Sequence, residues 1–380
     1  MTPGVIADAE IRARLARVQG ELGPTGRAAV ICFAAHRDYF PGDVRYLSRH
    51  SCTDEETAYV FVPRSGSSTL VIDAEWDLDR ARAEAFAGDI VLDRAPADTL
   101  AALVAGCARP GDTVGITGMG VFPAPVHRAL LAAHPGIAFD DAGPLLDAIK
   151  LVKSEAEIAL LREASRISDA GMRAGLDLVA EGVPETEVAA AAEYAIRRAG
   201  AELSFATVMG AGPRTADATF FPRRRAMEAG DYVILDCGAR VEGYHGDMCR
   251  TVVVGPPSAE QRRVLEAVGR CVHAAIAAAR PGATVRDVHE AARGSVVRDG
   301  LGDHWWGYYM PHGAGTGQHE LPAGLDDAEL VLVPGMVMCI EPGVALPGVG
   351  GVILEQMVAV GATGAEPLNA LALDLWDRPA

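Results

Sequence analysis

Four acids in the second half of this chain stand where acids are costly to keep. Asp236 closes the apolar run Tyr232-Val233-Ile234-Leu235, and Glu341 closes Val337-Met338-Cys339-Ile340. Glu355 lies inside Val352-Ile353-Leu354-Glu355-Gln356-Met357-Val358, while Asp247 falls in Gly246-Asp247-Met248-Cys249-Arg250-Thr251. Short apolar runs rich in β-branched residues and flanked by glycine read as buried strands. A carboxylate at the end of such a strand, or within it, needs a partner or a cation to offset the loss of water. Taken singly, Asp236 or Asp247 beside glycine reads as a turn-forming residue. Taken together, with a turn at Glu242-Gly243 between them, the two fit one antiparallel hairpin that brings both carboxylates to one place.

His312 adds an imidazole from Pro311-His312-Gly313-Ala314-Gly315-Thr316-Gly317-Gln318-His319-Glu320, a stretch too rich in glycine for a helix and suited to close backbone approach. His319, seven residues on, is expected to have a different role. An oxygen-rich set with one imidazole suits Mn²⁺, Co²⁺, Zn²⁺ or Fe²⁺ better than a thiolate-bound structural zinc. Four carboxylates exceed what one ion needs for neutrality, and two ions about 3.5–4 Å apart can share a water and lower its pKa. The expectation is therefore two divalent ions, manganese first, with cobalt, zinc or iron as the other choices. Cys237 and Cys249 are expected to be small core residues that point away, because strand neighbours face opposite sides.

The rest of the chain bounds the reading. With 380 residues, 49% hydrophobic and 22% charged, it can bury a large core and divide into two domains. Helical stretches alternate with apolar runs at 28–33, 58–62 and 69–72, which gives an α/β domain over 1–150. Ser154, three residues before Glu157, is a capping-box start to a long helix and places the boundary near residue 150. That helix should run toward Gly182 and Pro184, followed by a second over 185–199. The pattern recurs with helices over 259–279 and from about 285 to 298, so 151–380 reads as an α+β domain with an internal pseudo-twofold repeat. Strands are expected at 232–235, 251–254, 337–340 and 352–360. A net charge of −17 argues against nucleic acid or anionic membranes as partners. Arg223, Arg224 and Arg225 read as a solvated basic loop. Seven cysteines without a CxxC pair fit reduced thiols, and neither a leader-like start nor an apolar run of about 20 residues is present, so a cytoplasmic location is expected.

At this point the residues resemble the pita-bread metallopeptidase family, which includes methionine aminopeptidase, Xaa-Pro aminopeptidase, prolidase and the metal-free creatinase. The likeness covers residues 151 to about 365, in Leu235-Asp236-Cys237-Gly238, Asp247 before Arg250-Thr251, His312-Gly313, Glu341-Pro342-Gly343 and the strand acid Glu355. It implies that Asp236, Asp247, His312, Glu341 and Glu355 are the metal ligands. It further implies that Glu341 accepts the proton of the attacking water, that His319 contacts the substrate carbonyl, and that the first 150 residues are a creatinase-like N-terminal domain through which such chains often pair as homodimers. The activity implied is hydrolysis of a peptide or amide C–N bond, of the Xaa-Pro aminopeptidase kind.

Three positions depart from that pattern. Thr219 stands where a histidine is usual after Gly212-Pro213-Arg214-Thr215-Ala216. Tyr308 stands four residues before His312 in place of a histidine, and Ile353 two before Glu355 in place of an arginine. Changed substrate contacts beside retained ligands point to preserved chemistry on an altered substrate. A small non-peptide metabolite, cleaved by a creatinase-like hydrolase or lyase, is thus the alternative. Thr219, Arg214, Tyr308 and Trp306 are the candidate substrate contacts. Arg214 suits a carboxylate, and Trp306 stands among the aromatics Trp305, Tyr308 and Tyr309 that could wall a cleft.

Overall fold

A nine-residue strand, Arg27–Ala35, with seven residues buried, runs through the middle of the first half. The computed structural model describes residues 4–35, 42–52, 56–217, 220–307 and 309–376, and these form two units, Gly4–Lys150 and the chain from Leu151 onward. In the first unit six strands lie in the order Asp89–Leu92, Thr69–Ile72, Thr57–Pro63, Arg27–Ala35, Thr113–Ile116, Ala138–Asp141. The pairs among 27–35, 57–63 and 69–72 are antiparallel. The outer pairs are parallel and need crossovers, which the helices Leu78–Glu84 and Ala124–Ala133 supply. Ile31, Phe33, Tyr59, Leu100, Val104 and Leu130 fill the core between sheet and helices. The three outer strands were not among those named from the sequence; two of them are at most half-buried, and their apolar stretches are no longer than three residues.

The second unit repeats one element order twice. Each half opens on a capping box, Ser154 with Glu157 and Ser258 with Gln261. Each box satisfies two otherwise orphaned helix donors, and such a cap contributes about 1 kcal/mol. Helices of 22 and 14 residues follow in the first half, Glu155–Leu176 and Glu185–Arg198, and of 20 and 14 in the second, Ala259–Ala278 and Val285–Arg298. The first helix ends six residues before Gly182, which turns the chain with φ of +82°. Packed on these helices are Leu235, Met209 and Val252 in one half and Met338, Ile340 and Val358 in the other. Mixed α/β content in two units, with the duplicated second unit, is the expected architecture.

Two long β-hairpins place the acids. In one, Tyr232–Asp236 continues as Ala239–Val241, turns at Glu242 and Gly243, both at positive φ, and returns as Tyr244–His245 and Cys249–Val253. In the other, Val337–Ile340 continues as Gly343–Leu346 and returns as Gly350–Ile353 and Gln356–Val360. Each arm belongs to one sheet at its base and to another at its tip. Asp236, Asp247, Glu341 and Glu355 stand at or within the breaks where the four arms change sheets. The run 352–360, expected as a single strand, is accordingly two strands interrupted at Leu354-Glu355. A break is where backbone leaves the ladder, so a side chain there can turn toward its counterparts. Among the described residues no helix is long and apolar enough to cross a membrane.

Candidate metal centre

The four breaks converge, with the strand of His312 beside them. Asp236 pairs across the ladder with Cys249, and His312 with Cys339. Ligand atoms of Asp247, His312, Cys339 and Glu355, all buried, lie within 4.8 Å of one another; those of Asp236, Cys249 and Glu341 form a second such group, in which the two acids are partly exposed residues. The backbone at the site is tightly packed. A Cβ on Gly238 would meet Gly246 O at 2.0 Å, so the stretch between Asp236 and Asp247 closes only with glycine there.

Electrostatics set the chemistry. Burial, then Asp247, then Glu341 raise the Asp236 carboxyl well above its usual range. Burial pushes Asp247 up to about 7, against hydrogen bonds from the Met248 backbone and the Gln318 side chain. Glu341 rises to about 8 through burial and Asp247, and Glu355 is raised by burial, Asp247, Glu341 and Asp236 in turn. Among the described residues no arginine or lysine bonds to these carboxylates; Arg250, which interacts electrostatically with Glu355, donates to its backbone oxygen instead. Asp236 Oδ1 is buried without a hydrogen-bond partner among the described residues, and the buried Glu355 carboxylate has no partner there beyond the Cys339 thiol. Buried polar atoms are otherwise nearly always satisfied. A donor set of buried carboxylates and one imidazole, gathered in two small groups, fits divalent cations.

His312 is prepared as a neutral ligand. Burial, with His319 beside it, lowers its pKa to about 3. Its Nδ1 lies 3.2 Å from Gly313 O, which assigns the proton to Nδ1 and leaves Nε2, 4.0 Å from Glu355 Oε1, as a free lone pair. The His319 ring stands edge-on to His312, centroids 4.4 Å apart, and keeps an exposed edge. Burial of the remainder lowers its pKa, so it too is neutral near pH 7.

Sequence reasoning missed three residues here. Cys339, on the strand Val337–Ile340, has its Sγ in the buried group with Asp247, His312 and Glu355. Cys249, expected to point away, is two positions after Asp247 and has its Sγ in the outer group. Cross-strand pairing with Asp236 brings it in. Burial and the adjacent carboxylates raise both thiols well above their usual range, so they stay protonated and flank the oxygen donors. Gln318, bonded to Asp247, carried no signal beyond its place in the glycine-rich loop.

The substrate candidates fare unevenly. Thr219 and Tyr308 lie outside the described residues. Trp306 is half-buried and pairs with Gly343; its ring and Ile353 both close on that glycine, and the two belong to an apolar cluster with Phe220, Ile234 and Cys249. Arg214 does not support a carboxylate-binding role. Its Nη1 donates to Glu185 Oε2 at 2.7 Å and its Nη2 to Phe221 O at 2.8 Å, with the guanidinium over the Phe220 ring. Glu185 is fully buried, so Arg214→Met strands its charge. The variant should lose about 3 kcal/mol of stability, read as a lowered melting temperature, while KM for any cleaved peptide stays put. A raised KM at unchanged stability would restore the substrate role.

Comparison with known proteins follows the same lines. A profile described as metallopeptidase family M24 matches residues 159–362. An Xaa-Pro dipeptidase of Pyrococcus horikoshii is 34% identical over 228 residues, which cover 60% of this chain and 65% of that protein. A putative dipeptidase, YkvY, of Bacillus subtilis is 34% identical over 244 residues, 64% of this chain and 67% of its own. In sequence, therefore, the chain spans just under two thirds of the first relative's length. Solved structures match further: a prolidase from Pyrococcus horikoshii superposes with a TM-score of 0.84 at 26% identity, covering 96% of this chain and 99% of that one. A dipeptidase, PepE, from Mycobacterium ulcerans gives 0.81 at 29% identity over 98% and 99%.

Proposed function

This chain belongs to metallopeptidase family M24, and from that membership and the site geometry we propose that it is a metal-dependent hydrolase of short Xaa-Pro peptides. The observation that carries the reading is the gathering of Asp236, Asp247, His312, Glu341 and Glu355 in two small groups of ligand atoms whose carboxylates raise one another's pKa. These five side chains would hold two divalent cations, with Mn²⁺ tried first. When bound, such ions polarise a carbonyl and ready a water for attack at neutral pH.

The remaining work falls to the chain itself. Glu341, partly exposed and ionised once cations are bound, is suited to take a proton from the attacking water as its oxygen bonds to the scissile carbon. That proton passes to the leaving nitrogen as the C–N bond breaks. His319, neutral and with one edge exposed, donates an N–H to the carbonyl oxygen as it gains charge. Two relatives named for Xaa-Pro and dipeptide cleavage support the substrate class. On this reading the first unit is the creatinase-like N-terminal domain and the second the catalytic one.

One observation favours a second reading. Arg214 is committed to Glu185, and Ile353 sits among apolar side chains, so neither position offers a cation to a substrate carboxylate. A small metabolite without that group is then the substrate. The deciding assay is product release by Mn²⁺-loaded protein from Xaa-Pro di- and tripeptides, with Met-initiated peptides and chelated protein as controls. Chelator-sensitive cleavage before proline is the expected result; no turnover of any peptide by protein that binds two ions would overturn it in favour of the second reading.

A further inference from the structure

The segment that opens the second unit is tied to the site through a contact that the chemistry above does not use. Lys153 has a side chain 1% exposed, and its Nζ lies 3.0 Å from Oε2 of Glu320, itself 5% exposed. Taking a cation and a carboxylate out of water together is costly, and such a pair is held for geometry more than for stability. The other oxygen, Oε1, accepts from Gly317 N at 2.9 Å and from Thr316 Oγ1 at 3.3 Å. Gly315 closes on the same carboxylate: a Cβ there would meet Oε2 at 2.4 Å. The stretch 315–320 is therefore wound around Glu320. What it carries toward the site is Gln318, bonded to Asp247, and His319, 4.4 Å from His312. Lys153 is itself anchored, its amide donating to Gly335 O at 2.9 Å.

We propose that Lys153 and Glu320 are a positioning pair that fixes this loop, aiming His319 at the substrate carbonyl and Gln318 at Asp247 while touching neither substrate nor ions. A buried ion pair inside a turn admits one loop geometry, whereas a neutral replacement admits several. Misplacing a group at the reacting centre by about 1 Å costs on the order of 100-fold in rate. The kinetic part of the proposal rests on the peptidase reading; the placement of the loop does not.

Four variants test it: Lys153→Met, Glu320→Gln, the two combined, and Lys153→Arg. The combined variant keeps an acceptor for Gly317 and buries no lone charge, so it folds. Expected are a kcat lowered about 10- to 100-fold in the first three, KM and Mn²⁺ binding unchanged, and partial recovery in Lys153→Arg. The imidazole NMR signal of His319, assigned with His319→Gln, should shift in the combined variant in the absence of substrate. Unchanged kcat with an unmoved His319 signal would overturn the proposal, as would loss of ions in step with loss of rate. Wild-type protein inert toward every peptide overturns the functional reading instead, and the His319 signal alone then decides whether the pair sets the loop.

Discussion

Asp247→Ala should lower kcat/KM by a factor of about 1,000 or more, equivalent to about 4 kcal/mol of transition-state stabilisation, with the circular dichroism spectrum unchanged. The choice of residue follows from the charge map. Asp247 is the carboxylate that raises Asp236, Glu341 and Glu355 alike, and its ligand atom belongs to the buried group with His312 and Glu355. Removing it takes away a ligand and the charge that acts on the acids of both groups, whereas His312 is neutral and its loss removes a ligand alone. Steady-state assay of the Mn²⁺-loaded variant checks the expectation, and undiminished turnover would remove the basis for a two-ion site.

The second large effect is on stability and depends on pH. Folding raises Asp247 to about 7 and Glu341 to about 8, and lifts Asp236 and Glu355 in the same direction. The unfolded carboxyls titrate near 4. Between those limits the metal-free native state holds protons that the unfolded chain has released, so its stability is present at about pH 4 and is lost as pH rises toward 8. Bound cations keep the carboxylates ionised in the fold and cancel that slope. Calorimetry of chelated and Mn²⁺-loaded protein at several values across this range should show a gap in melting temperature that widens with pH by at least about 5 °C. A gap that stays constant or narrows would mean that the carboxylates are neutralised by something other than ions.

The site and the fold were legible to different depths in the sequence. Capping boxes and the Glu242-Gly243 turn could be read directly, because each is decided by a few consecutive residues, and the acids announced themselves by interrupting apolar runs. Hidden were the features made by distant residues. Lys153 meets Glu320 across 167 positions and Arg214 meets Glu185 across 29, and nothing local marks either pairing. The sheet changes at Leu354-Glu355 were hidden for another reason. Apolar residues continue through the break, and only the partner strands show that the chain passes from one sheet to the next. Cys339 and Cys249 come to the site through cross-strand pairing with His312 and Asp236, which no single stretch of sequence displays.

The central claim is that five side chains on two hairpins and one short strand hold a pair of cations. Anomalous diffraction from crystals grown with Mn²⁺ tests it most directly. The account expects two peaks enclosed by Asp236, Asp247, His312, Glu341 and Glu355, both absent from crystals of the Asp247→Ala protein. No peak within that cluster, or Mn²⁺ bound elsewhere on the molecule, would contradict it.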